Sequence, residues 1–295
     1  MKLTGFTDEA SSKLNDQIRV TQELGWEYLS ARTFGAKNIH DLTEGEFEQV
    51  CEQLDMSNIK VAEFGTLIGN WSKDILDDFD ITKAEVARCI PRMQRLGVKI
   101  ARIMSFAQRP WGDEQYAHER FKRLRWIVNQ FIDADLVPAH ENCMNWGGFS
   151  AQHSLRLLEE VPGLQLIFDT GNPVFQKDRS KPEPYPYQDA LEFYQKTKHA
   201  IVHVHVKDVI VSECDEITYT YPGEGMAYIK TIITDLWSSS YDGFVAIEPH
   251  MGKVFHEDFS SQDASYEYET YKKFGERMER LIRQVELEGK KKDDH

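Results

Sequence analysis

The chain has 295 residues, 41% hydrophobic and 28% charged, and a formal net charge of −14 from 35 basic and 49 acidic side chains. This length and apolar content suffice for one barrel-sized domain with a full core. The acidic balance argues against nucleic acid as a partner, and no stretch approaches the roughly 18 consecutive apolar residues of a membrane helix.

Eight short apolar runs are predicted as strands, at about 2–6, 27–32, 60–64, 99–106, 137–142, 164–169, 201–207 and 244–248, with helical periodicity between them. Three junctions share one pattern, an amphipathic stretch, a small or polar stop residue, then a strand: Leu24-Gly25-Trp26, Leu96-Gly97-Val98 and Asp135-Leu136-Val137. That is the helix-to-strand junction of a parallel fold. The helix before the third junction puts Phe121, Leu124, Ile127, Val128, Phe131 and Ile132 on one face. The expected architecture is a single (β/α)8 TIM barrel domain over 1–295, with residues 1–250 closing the barrel. An extra C-terminal helix is expected at 263–288, and a flexible tail at 289–295. The Pro-rich stretch Asn172 to Tyr187 and the stretch Met251 to Gln262 are candidate lids, because loops on the C-terminal face build barrel active sites. Cys51, Cys89, Cys143 and Cys214 show no CxxC spacing. The N-terminus lacks a signal-peptide apolar region, so reduced thiols in a cytoplasmic protein are expected.

In the second half, four apolar runs carry one metal-type ligand each: PAHEN with Glu141, LQLIFD with Asp169, IVHVHVKD with His205, and FVAIE with Glu248. Carboxylates are costly to bury unpaired, so such strand ends demand a cation or a proton. Side chains alternate across a strand. His203, His205 and Lys207 therefore share one face of the seventh strand, and Ala246, Glu248 and His250 share one face of the eighth. Glu141, Asp169, His205 and Glu248 are the expected ligands of one divalent ion; the alternative is a self-satisfied ion-pair network. Three carboxylates and one imidazole favour Mn²⁺ or Mg²⁺, with Co²⁺ or Zn²⁺ compatible. His203, deeper in its strand, is read as a supporting or packing group. Lys207 is placed to hold a substrate oxygen or, alternatively, to pair with the acidic cluster. Trp146 offers an apolar platform for a ligand or packs its loop. Asp8, Glu9, Arg32, Glu63, Gln108 and Arg109 are further polar groups at strand ends, and Pro222–Gly225 reads as a turn opening the seventh helix.

The combination of ExN after the fifth strand, DTGN after the sixth, HVHVKD on the seventh, PGEG and a terminal GFVAIE resembles the xylose-isomerase-like sugar isomerase/epimerase superfamily. The likeness covers most of the chain, and its specific motifs lie in 137–250. The resemblance implies metal ligands at Glu141, Asp169, His205 and Glu248, with the two glutamates as acid/base pair. It also implies a small-molecule sugar substrate. Relatives often carry histidine three residues after the strand-six aspartate. This chain has Asn172 there, which is taken with Lys207, Trp146 and His250 as substrate-binding. The Asp-x-His of the nuclease branch is absent after the seventh strand. The expected activity is proton transfer beside a carbonyl through a metal-stabilised enediolate, as in an isomerase or epimerase. A lyase or dehydratase acting on a keto sugar or inosose would use the same groups, and a non-catalytic sugar-binding barrel is the third reading. Neither a nucleic-acid nor a membrane partner is expected; a homo-oligomer is compatible with the sequence.

Overall fold

The computed structural model describes residues 1–254, 259–260 and 263–293. Its eight barrel strands are β1 (Lys2–Gly5), β2 (Tyr28–Ala31), β3 (Lys60–Phe64), β4 (Ile100–Ile103), β5 (Val137–Glu141), β6 (Gln165–Asp169), β7 (Ile201–Val206) and β8 (Phe244–Ile247). They form one parallel sheet in the order β1-β8-β7-β6-β5-β4-β3-β2. The ring is closed between β1 and β2 by a parallel bridge from Phe6 to Ser30 and by the Thr4 hydroxyl, which donates to the Tyr28 carbonyl at 3.1 Å. The main helices are α1 (Leu14–Glu23), α2 (Glu44–Ser57), α3 (Phe79–Leu96), α4 (Ala117–Asp133), α5 (Ala151–Glu160), α6 (Ala190–Thr197), α7 (Ile229–Ser238) and α8 (Ala264–Asp293). This is a (β/α)8 TIM barrel.

Local chemistry explains the boundaries. Thr43 and Glu46 form a reciprocal capping box at the start of α2. The three predicted junctions turn through the left-handed region, at Gly25 (φ 70°), Gly97 (φ 67°) and Asp135 (φ 58°). Outward-facing strand residues pack against the helices in two apolar clusters. One gathers Leu29, Phe64, Ile103 and the inner faces of α2 to α5; the other gathers Phe168, Val204, Val206, Val245 and Ile247 with α6, α7 and α8. The barrel interior is left to the polar residues of the opposite parity. No helix among the described residues is long and apolar enough to cross a membrane.

Three expectations change. β4 stops at Ile103 instead of running to 106, because the Met104 and Phe106 N–H groups turn to the carbonyls of Ile68 and Gly69 (3.0 and 2.6 Å). The last helix runs past 288 to Asp293, so most of the expected tail is helical, and residues 294–295 lie outside the described residues. α7 supports that extension: Lys230 pairs with Glu288 at 2.9 Å, and Gly289 packs so close to the Trp237 ring that a Cβ would lie 2.2 Å from it. The Pro-rich stretch is fastened down. The Arg179 N–H donates to the Phe149 carbonyl, and its guanidinium stacks on Tyr185 and Trp111 at 4.5 and 5.3 Å. Of the other candidate lid, residues 255–258 and 261–262 lie outside the described residues.

Candidate active site at the C-terminal mouth of the barrel

Strand register brings the quartet together. Asp169 on β6 stands beside His205 on β7, which stands beside Ala246 on β8, two residues before Glu248. One ligand-type atom from each of Glu141, Asp169, His205 and Glu248 lies within 4.8 Å of every other, and all four residues are buried. Each also keeps a buried atom that no hydrogen bond satisfies: Glu141 Oε2, Asp169 Oδ2, His205 Nδ1 and Glu248 Oε2. Buried polar atoms are rarely left so. Three oxygens and one imidazole nitrogen form a donor set that fits a divalent cation, with the cations Arg102 and Lys207 within ion-pair range of the three oxygens.

Neighbours fix the orientation of each group. Asp169 Oδ1 accepts from the backbone N–H of Gly171 and Asn172 (2.9 and 2.7 Å), leaving Oδ2 to face Lys207. The Asn142 amide ties β5 to β6, donating to the Asp169 carbonyl at 3.0 Å and accepting from its N–H at 2.7 Å. His205 Nε2 lies 3.1 Å from both oxygens of Glu63, which reach across the barrel from β3, and Phe6 packs edge-on against the imidazole at 4.9 Å. With Nε2–H donated to that carboxylate, Nδ1 faces Glu141 at 3.5 Å, as an N–H in the imidazolium and as a lone pair once that proton is lost. Glu63 also accepts from the Ser30 hydroxyl at 2.9 Å and lies 2.8 Å from His203 Nε2. His203 thus supports Glu63, as expected for the deeper histidine.

A set of cations completes the mouth. Arg102 lies 3.2 Å from Glu141 Oε2. Arg32 reaches Glu248 Oε1 at 2.5 Å and pairs bidentately with Asp8, with a further bond to Glu9. Lys207 Nζ sits 2.9 Å from Glu248 Oε2, 3.3 Å from Asp169 Oδ2 and 3.2 Å from His250 Nε2. Glu9 holds His250, accepting from its N–H at 2.8 Å and facing its Nδ1 at 2.9 Å. Lys207 can enter only because residue 171 is glycine: a Cβ there would lie 2.1 Å from Lys207 Cγ.

The electrostatics follow from this packing. Burial raises every carboxylate here, but Lys207, then His250 and Arg32, outweigh it and hold Glu248 well below its usual range. Arg102 and then His205 outweigh burial at Glu141 and lower it too. At Asp169 burial wins over Lys207 and, with Glu248 and Glu141 adding repulsion, pushes the carboxyl up to about 7. Against burial, Glu63 and then Glu141 raise His205 to about 10.

Of the residues read as substrate-binding, Lys207 and His250 line the cavity, which measures about 460 Å³. Asn172 instead holds the quartet from behind, its side-chain amide donating to Glu141 Oε1 at 3.4 Å. Trp146 is a correction: it is 3% exposed and packs edge-on against Phe121 and His153 in the apolar cluster, away from the cavity lining. The Pro-rich stretch contributes no cavity-lining residue. The PGEG turn is held by Asp208, whose carboxylate accepts from the N–H groups of Val209, Gly223, Gly225 and Ala227. Arg102 escaped the sequence reading. Its signal was parity, an arginine between Ala101 and Ile103, both of which face the outer core.

Comparison with known proteins agrees with this geometry. Over 108 residues the chain is 27% identical to an inosose dehydratase of Lacticaseibacillus casei; the match spans 32% of this chain and 33% of that protein, about a third of its length. A xylose isomerase-like TIM barrel protein from Mycobacterium smegmatis, solved with magnesium, superposes with a TM-score of 0.65 at 13% identity, covering 96% of this chain and 97% of that one. D-psicose 3-epimerase, solved in the presence of D-fructose, gives 0.63 at 14% identity over 97% and 99%. At such identities these structures speak for the fold. A family model described as xylose isomerase-like TIM barrel matches residues 18–268, from α1 through the barrel into α8, and the chain belongs to that family.

Proposed function

We propose that the protein is a divalent-metal-dependent isomerase or epimerase of a keto sugar. The observation that carries this reading is the convergence, within 4.8 Å, of three carboxylates and an imidazole. Glu141, Asp169, His205 and Glu248 would hold the ion, with Mn²⁺ or Mg²⁺ suited to the oxygen-rich donors. When bound, it supplies Lewis acidity to a carbonyl and its neighbouring hydroxyl. The side chains do the rest. Glu141 and Glu248 enter from β5 and from the end of β8. One removes the proton from the carbon beside the carbonyl, and the other returns a proton to the opposite face, which inverts the carbon. Arg102 beside Glu141 and Arg32 beside Glu248 favour the ionised form, so the abstracting carboxylate is charged at rest and the returning one takes up its proton before turnover. The Lys207 ammonium, held by Glu248 and Asp169, donates to the substrate oxygen on which negative charge develops.

The partial match to inosose dehydratase favours a second reading. The same proton abstraction, with a hydroxyl on the next carbon, leads to elimination, and Lys207 or Glu248 then protonates the departing hydroxyl. One experiment tests both. Keto sugars and inososes are incubated with protein and Mn²⁺ in heavy water, with and without chelator. Deuterium beside the carbonyl with an inverted carbon supports epimerisation; loss of water supports dehydration. Neither outcome with any candidate, or turnover untouched by chelator, refutes the proposal.

A further inference from the structure

Part of the cavity takes no part in this chemistry. Beyond Glu141, Lys207 and Glu248 its wall includes Leu67, Trp71 and Met104. These three belong to neither apolar cluster of the barrel, nor are they among the partly buried side chains packed against one. Met104 is nonetheless only 2% exposed, and Leu67 and Trp71 are half-buried. An indole and an isobutyl group, half-buried and outside both clusters, line the site together with the buried Met104 thioether.

The wall is preformed. The segment from Thr66 to Lys73 is fastened to the end of β4 and the residues after it. The Met104 N–H donates to Ile68 (3.0 Å), Phe106 to Gly69 (2.6 Å), Ala107 to Lys73 (2.9 Å), and the Thr66 hydroxyl to the Arg102 carbonyl (2.5 Å). Gly69 has φ +62°, and a Cβ there would lie 2.5 Å from the Met104 carbonyl oxygen, so the close approach requires glycine. A wall held this way keeps its shape without a ligand, which lowers the cost of binding.

Size and chemistry then limit the ligand. The cavity, of about 460 Å³, falls in the range of pockets that take ligands larger than one sugar ring. A single sugar ring packs its atoms more tightly than water does and leaves part of that space unfilled. Nor do a thioether and an isobutyl group satisfy hydroxyls; apolar walls beside a few convergent polar groups suit a ligand with one apolar and one polar end.

We propose that the substrate is a keto sugar still carrying an aromatic group, an aryl glycoside, with Trp71, Leu67 and Met104 seating the aglycone. The inference rests on the reading that the polar end of the cavity takes a keto sugar. Trp71 is then a specificity-determining residue that stacks on the aglycone ring, offset or edge-on.

The test is calorimetric titration of the full chain with Mn²⁺ present, using phenyl and methyl β-D-glucopyranoside, which lack the reactive carbonyl. The phenyl glycoside should bind about tenfold more tightly than the methyl one. In Trp71→Ala that ratio should collapse toward one with methyl glycoside affinity unchanged, and Leu67→Ala, at a half-exposed position, should reduce it in the same direction. Equal affinities in the wild type, no binding of either probe, or equal weakening of both by Trp71→Ala overturns the proposal. Heavy-water exchange with unsubstituted keto sugars separates the two failures. Exchange without a phenyl preference removes only the aglycone; no exchange with any keto sugar removes the underlying reading.

Discussion

Replacing Glu63 by Gln should weaken metal binding at the proposed quartet, of which Glu63 is not a member. The fully buried carboxylate faces two imidazole nitrogens at once, His203 Nε2 at 2.8 Å and His205 Nε2 at 3.1 Å, and accepts from Ser30 as well. A glutamine of the same size has one acceptor oxygen and one donor NH2. Only one histidine can then keep an Nε2–H pointed at residue 63; the other must change tautomer or rotate. If His205 changes, its proton moves to Nδ1, the atom that faces Glu141 at 3.5 Å. Loss of such an outer partner typically costs 10–100-fold in metal affinity, or about 1.4–2.7 kcal/mol. Mn²⁺ titration followed by calorimetry or electron paramagnetic resonance measures the affinity, and ¹⁵N spectra of the imidazoles report the tautomer. Wild-type affinity within twofold in Glu63→Gln, or spectra placing the His205 proton on Nδ1 in the wild type, would refute the reasoning.

Other outcomes follow from the same contacts. Gly171→Ala puts a methyl into Lys207, so turnover should fall at least 100-fold while the protein stays folded by circular dichroism; wild-type rates would show that Lys207 can be displaced without consequence. Asp208→Ala strands four buried or half-buried backbone N–H groups and should lower unfolding free energy by about 2–4 kcal/mol in urea titrations. A loss under about 1 kcal/mol would mean that water replaces the carboxylate. Burial, helped by the Arg156 cation, lowers His153 to about 4. The unfolded chain then binds a proton near pH 6.5 that the folded chain refuses, so this stability is intact above pH 6.5 and lost as pH falls toward 4. On the order of 2–3 kcal/mol is at stake, and His153→Gln should flatten the urea midpoint between pH 6.5 and 5; an unchanged slope refutes the assignment.

The barrel and the quartet were legible because both are local properties of the chain. β7 shows its inner and outer faces in six residues, IVHVHV, and Asp169 and Glu248 each follow an uninterrupted apolar run. Left-handed stops at Gly25, Gly97 and Asp135 mark where helices give way to strands. Trp146 was ambiguous for the opposite reason. An aromatic residue in a loop after a catalytic strand can face either the mouth or the helix behind it, and the choice rests on Phe121 in α4, which its own sequence neighbourhood does not announce.

Arg102, and the partners of Arg32 and Glu63, escaped because those pairings join different strands at heights that only the closed barrel sets. Glu63 meets Ser30 across a register shift between Leu29 and Ser30, and Arg32 meets Glu248 across more than 200 residues of chain. Such pairings depend on barrel stagger, to which no window of sequence gives access. Their placement also has a chemical logic that parity alone does not supply. Arg102 and Arg32 attach to Glu141 and Glu248, the two carboxylates assigned to proton transfer, whereas Asp169 has only Lys207 and two backbone N–H groups, and burial raises it. Carboxylates lowered at Glu141 and Glu248 beside one raised at Asp169 are environments pushed apart, the condition under which otherwise similar carboxylates take different roles. The proposed division of labour, Asp169 as ligand and Glu141 and Glu248 exchanging protons with carbon, requires the ion to acidify the substrate, because lowered carboxylates are weak bases.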